Sequence, residues 1–188
     1  MYLACNTKRL NFTGFFGVFR QKIKYWMTTT WQWRRATGSD VPAIVAMAQR
    51  DFQTEIDTVF VPDPIAYARN VTTAVVQQFY LPNQELLMVA RRDDDHLLAY
   101  VWVVRETAPW SDETMAATRM VHVDLALPIR TRLRLVQEMM GLWETWARES
   151  GIAIVCSTTM RRDTAGFLRT HAAAGYDVRG SIAYKRLK

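Results

Sequence analysis

Between Thr118 and Thr159 the chain reads TRMVHVDLALPIRTRLRLVQEMMGLWETWARESGIAIVCSTT, and few folds accommodate such a stretch. Met120 to Leu127 alternates its side chains, which predicts a half-buried strand. Pro128 breaks that pattern. Ile129, Leu133, Val136, Met140, Trp143 and Ala147 then recur at spacings of four and three, one face of a long helix. Leu135, Met139, Leu142 and Trp146 widen the stripe enough to cover a broad sheet surface. Gly151 ends the helix, and Ile152 to Cys156 is a short apolar run suited to a central strand. Strand, helix, strand is a crossover unit, which is parallel and right-handed in nearly all sheets. The loop opening the helix is the natural ligand site, because its N–H groups lack intrahelical acceptors and attract anions.

Around this unit the composition sets bounds. The 188 residues are 49% apolar and 22% charged, consistent with one soluble globular domain with a sizeable core. No apolar run approaches the roughly 20 residues that span a bilayer. Cys5 and Cys156 offer neither a disulfide framework nor a metal-ligand cluster, so no metal site and a reducing cytoplasm are expected. The net charge of +6 comes mostly from residues 1–26, which hold Lys8, Arg9, Arg20, Lys22 and Lys24 and no acid. The remainder carries 24 − 5 = 19 basic against 18 acidic residues, a balance that argues against nucleic acid as a partner.

Residues 1–26 are basic and aromatic without periodicity. They read as a leader, disordered or upstream of a true start at Met27, with 27–188 as the folded domain. From Trp31, WQWRRA alternates as a strand, and TGSD is a turn ending in a helix N-cap. Val41 to Phe52 predicts a helix with Ile44, Met47, Ala48 and Phe52 on one face. Ile65 to Phe79 predicts a second, burying Ile65, Ala68, Val71, Val75 and Phe79. Leu86–Arg91 and Leu97–Arg105 form a hairpin about the acidic turn Asp93–Asp95. A loop over Thr107–Ala117 leads into the crossover unit. After it come a polar MRRD loop, a helix from Thr164 to Ala173, and one or two closing strands in Tyr176–Leu187.

The order β–α–α–β–β–β–α–β–α–β from Trp31 onward resembles the GCN5-related N-acetyltransferase family. So do Trp33-Arg34-Arg35-Ala36-Thr37 with Asp40-Val41-Pro42-Ala43-Ile44, Val89-Ala90-Arg91 with Ala99-Tyr100, and Trp146-Ala147-Arg148-Glu149-Ser150-Gly151. Phe167-Leu168, Gly175-Tyr176 and Gly180 resemble that family's C-terminal helix and strand. The resemblance implies a mixed α/β fold, with a mostly antiparallel sheet, a βαβ unit and flanking helices. It also implies acetyl-CoA as cosubstrate and a small-molecule or protein amine as acceptor. A homodimer is a candidate assembly, and neither nucleic acid nor membrane is an expected partner.

The family's pyrophosphate motif, Gln/Arg-x-x-Gly-x-Gly/Ala, aligns on Arg130-Thr131-Arg132-Leu133-Arg134-Leu135. Its first arginine matches, but leucines stand where glycine allows close approach of the phosphates. Arg130, Arg132 and Arg134 supply charge-assisted donors in compensation. Read as residues alone, they equally suit a solvated face. The family's usual acid, a tyrosine four residues before the Gly-aromatic pair, is replaced by His171. His171 also fits a capping role at a helix end. On the predicted central strand Val121, Val123 and Leu125 share one face, and His122 and Asp124 share the other as candidate bases, with Glu106 more distant. A polar cross-strand pair would look the same. The rival to an acetyltransferase is a catalytically silent binding protein on this fold, such as a viral or phage assembly component. Leu133, Leu135 and the tryptophans Trp31, Trp33 and Trp110, read as exposed, favour it.

Overall fold

The structure is a computed structural model that describes residues 30–55, 60–108, 110–161 and 164–179, with side chains from 53 to 55 left aside. The chain divides into two units, Met1–Thr30 and Trp31–Lys188. The leader reading therefore lies outside the described residues. So do the closing strands beyond Arg179, while 176–179 carry no strand.

The second unit runs β1 (Trp31–Arg35), a single 3-10 turn (Gly38–Asp40), α1 (Val41–Glu55), α2 (Pro64–Tyr80), β2 (Glu85–Arg92) and β3 (Leu97–Thr107). It continues with β4 (Thr114–Val123), α3 (Ile129–Glu149), β5 (Ile154–Cys156) and α4 (Ala165–Ala173). The described strands form one sheet in the order β1-β2-β3-β4-β5. Its first three pairings are antiparallel and the last, β4 with β5, is parallel. This is the mixed, mostly antiparallel sheet the sequence implied. Strand β3 is buried along Leu97–Val104, as a central strand covered on both faces must be.

One sheet face carries α3, with Leu135, Met139, Met140, Trp143, Trp146 and Ala147 buried against Leu98, Val101 and Val103. Each such large side chain contributes about 1.5–3 kcal/mol of burial. The stripe is narrower at its start than the periodicity predicts, because Ile129 (68% exposed) and Leu133 (45%) lie off the core. Helices α1 and α2 cover the other face through Ile44, Met47, Val71 and Ala74. In α2 the buried row includes Gln78, while Ile65 and Phe79, expected inside, are 83% and 77% exposed. Gln78 decides this rotation: its amide donates to Ala36 O at 2.7 Å and accepts from Leu87 N at 3.0 Å, joining the helix to two strands.

Two further local devices set the frame. Asp40, fully buried, accepts from Arg34 Nη1 and Nη2 at 2.7 and 2.8 Å, Arg91 Nε at 2.7 Å and Thr37 N at 2.7 Å. Both long helical ends near the site close alike: Ile152 N donates to Ala147 O with Gly151 at φ 68, and Tyr176 N to His171 O with Gly175 at φ 85. Only glycine enters that left-handed region without strain.

Candidate functional site

Strand β4 starts at Thr114, six residues before the predicted start, and stops at Val123, so Asp124 to Leu127 form a turn and not the strand's end. Ala126 N donates to Asp124 Oδ1 at 3.0 Å and Leu127 N to Asp124 O at 3.2 Å, closing the turn while Asp124 N still donates to Leu98 O of β3 at 2.9 Å. Within β4 the register slips, with Trp102 opposite Met120 and Val103 opposite Thr118, which leaves Arg119 as the extra residue of a bulge. Bulges re-aim side chains. The Arg119 guanidinium lies 5.5 Å from the Trp102 ring centre.

Pairing of β4 with β5 ends at Ala117 and Cys156, where β5 itself ends, and the rest of β4 lies open on that side among the described strands. A cavity of about 550 Å³ opens there, lined by Arg119, Met120, Val121, the α3 start, Ser157–Arg161 and α4. The α3 N-terminus has neither a side-chain cap nor an acid in its first turn. Pro128 is its cap residue, and Arg132 N already donates to Pro128 O at 3.0 Å. The N–H groups of Ile129, Arg130 and Thr131 therefore precede the helix ladder. Among the described residues, two buried side-chain atoms find no hydrogen-bond partner, Arg132 Nε and His171 Nε2, and both residues line this cavity.

A second cavity, about 380 Å³, lies on the face covered by α1 and α2. His122 and Met120 line it, and Met120 lines the first cavity too, so one residue of β4 borders both. His122 is buried, stacked on Tyr100 at 5.5 Å, and its Nε2 lies 3.0 Å from Asp51 Oδ2. A carboxylate only accepts, which assigns the hydrogen to Nε2 and the lone pair of the neutral ring to Nδ1. Arg50 bridges onward, from Asp51 (3.1 Å) to Asp124 (3.1 Å), and Asp124 reaches His96 Nε2 at 3.2 Å. Burial pushes Asp124 up, but the Ala126 N–H, His96 and Arg50 outweigh it and hold the carboxyl below its usual range.

This geometry has relatives among solved structures. A possible acetyltransferase from Clostridium difficile superposes with a TM-score of 0.63 at 11% identity, covering 84% of this chain and 97% of that one. The aminoglycoside 6'-N-acetyltransferase of Acinetobacter baumannii gives 0.61 at 14%, covering 85% and 99%. A structure described as a predicted acetyltransferase with acetyl-CoA from Clostridium acetobutylicum gives 0.62 at 12%, covering 84% and 96%. This chain has the GCN5-related N-acetyltransferase fold. No protein-family model matches it, and no curated protein matches it in sequence.

On this acetyltransferase fold the residues anticipated from sequence separate. Of the three arginines only Arg132 lines the first cavity; Arg130 is exposed, and Arg134 binds Glu138 Oε1 at 2.9 Å above the Trp31 ring at 4.5 Å. Thr131 is half-buried. Leu133 lines the cavity, whereas Leu135 is wholly inside the core, so the two leucines at the glycine positions differ in consequence. His122 and Asp124 are joined through Asp51 and Arg50 and not by a shared strand face. Glu106 is exposed toward the far end of β3 and lines neither cavity. Trp31 and Trp33 are not free surface either, since both indoles donate to Glu138 Oε2 at 2.6 and 2.8 Å; Trp110 is 86% exposed.

His171 sits on the first cavity, away from His122. Its Nδ1 lies 2.9 Å from Phe167 O, a carbonyl that only accepts, so Nδ1 carries hydrogen and Nε2 is bare in the neutral ring. Burial pulls its pKa below the ordinary histidine value, against the opposing bond to Phe167. The neutral ring is therefore a hydrogen-bond acceptor at rest, which does not suit the resting proton donor that its sequence position implies. Asp51 was missed by sequence reading. Its signal was present, since it falls on the α1 stripe with Ile44, Met47 and Ala48, where an acid demands a partner.

Proposed function

We propose that the protein is an acetyl-CoA-dependent N-acetyltransferase acting on a primary amine. The observation that carries this reading is that Met120 borders two cavities with different chemistry, one ending at a helix N-terminus and one lined by a carboxylate-backed imidazole. The donors of the first suit a phosphate ester. The first-turn N–H groups and the Arg132 guanidinium, whose buried Nε has no partner, would hold the phosphates, and Leu133 narrows the approach that glycine would widen. Bound there, acetyl-CoA supplies an activated acyl group.

His122 takes the amine proton, and Asp51 both orients the ring and stabilises the imidazolium that results. His171 accepts a hydrogen bond within the donor cavity and is assigned no proton to give. The binding-protein alternative loses the support of Trp31 and Trp33, which are engaged with Glu138.

Thermal denaturation with CoA tests the reading. Saturating CoA raises the melting temperature, since a ligand selective for the native state stabilises it by mass action. Arg132→Ala weakens CoA by roughly tenfold to a hundredfold, the scale of one charge-assisted hydrogen bond. Calorimetry showing no heat and no shift with millimolar CoA would remove the donor site and the enzyme with it.

A further inference from the structure

The second cavity also restricts which amine enters, an inference that rests on the acetyl-transfer reading. Four rings from different elements face it: Phe52 of α1, Phe60 of the following loop, Tyr67 of α2 and Tyr100 of β3. The two tyrosine hydroxyls bond each other at 2.9 Å. Among the described lining residues there is no arginine or lysine, and the one carboxylate is Asp63. That carboxylate is engaged as the α2 N-cap, its Oδ1 accepting from Ile65 N at 3.0 Å and Ala66 N at 2.9 Å.

Among the described lining residues a phosphate or carboxylate on the acceptor would meet no arginine or lysine. Among those residues a second or third ammonium would meet only an acid already committed to helix capping, and an uncompensated charge does not enter an apolar site cheaply. A hydrocarbon or aromatic body finds ring surface on several sides, in a volume typical of small-ligand pockets.

We propose that this cavity takes a compact primary monoamine whose body is an aromatic ring or similar hydrocarbon, oriented with its nitrogen toward His122 and Met120. The apolar surroundings favour the neutral amine over the ammonium. One proton passes from the ammonium to His122 and on to solvent. The freed nitrogen lone pair forms the N–C bond to the acetyl carbon as the C–S bond breaks. The nitrogen's second surplus proton leaves with the thiolate sulfur, giving amide and free thiol.

The test compares kcat/KM for 2-phenylethylamine, spermidine, kanamycin and glucosamine 6-phosphate with acetyl-CoA. 2-Phenylethylamine is expected to lead by about tenfold or more, the scale on which a pocket discriminates by apolar fit. Preference for any of the other three overturns the proposal while leaving acetyl transfer intact. Ala48→Phe, at a half-buried lining position of α1, should raise KM for 2-phenylethylamine while CoA affinity is unchanged. If that variant fails to fold, Val45→Phe on the same lining serves. Should CoA not bind and no amine be acetylated, the enzyme reading fails separately. Saturation-transfer NMR then decides the ligand class: a 2-phenylethylamine signal lost in the filled variant upholds it, and no signal, or one that persists there, overturns it.

Discussion

Helix α1 has a buried carboxylate near each end, and the two are held in opposite ways. Asp40, just before the helix, is closed off: two arginines and the Thr37 amide and hydroxyl take up its oxygens, and it lines neither of the two cavities described. Asp51, near the C-terminal end, shares itself between Arg50 and His122, and His122 lines a cavity. A carboxylate satisfied on every side locks β1, β2 and α1 together and has no capacity left for chemistry. One whose partner faces open space can change that partner's charge state during a reaction. The same residue type thus serves architecture in the turn before the helix and, in our proposal, proton transfer near its far end.

The largest expected effect breaks the closed end. Asp40→Ala leaves the half-buried Arg91 Nε and the Thr37 N–H without their acceptor, with Asp95 still holding Arg91 Nη1, and should cost about 3–5 kcal/mol in urea unfolding, the scale for breaking a buried pair. Acetyl transfer per folded molecule should hold. A loss under about 1 kcal/mol would make Asp40 no more structural than a surface ion pair.

His122→Gln acts at the other end, with turnover expected to fall about 10²–10⁴-fold, the range for removing a general base. The melting temperature should change far less than for Asp40→Ala. Asp51→Asn should lower turnover in the same direction while acetyl-CoA KM is unaffected. Full activity in both variants would move the base elsewhere.

The smallest effect is a titration. Arg34 and the Thr37 groups overcome the burial that would raise Asp40, so its pKa falls to about 2 in the folded protein. A folded value below the unfolded one means the stabilisation is complete above about pH 4. It is lost as pH falls through about 2, and amounts to about 2 kcal/mol. Urea unfolding of wild type and Asp40→Asn across that window should converge as the pH drops; parallel curves would show that Asp40 does not titrate there.

Much of the fold is written locally. The α3 stripe, the hairpin about Asp93–Asp95 and the β1 alternation were readable because side-chain direction repeats every 3.6 or 2 residues, whatever lies opposite. Sequence alone also marked His122, Arg132 and His171 as chemically interesting, by residue type and by resemblance. It could not divide them into roles. That Arg132 lines the first cavity while Arg134 is drawn onto Trp31 and Glu138 depends on where β1 docks. That Gln78 turns α2 depends on Ala36 and Leu87, and that Asp51 meets His122 depends on a contact 71 positions apart. Local sterics and periodicity are properties of a short window, but hydrogen bonds across layers exist only once the layers have packed. The elements were therefore determined by the sequence pattern, and the partners of each polar group only by the tertiary structure.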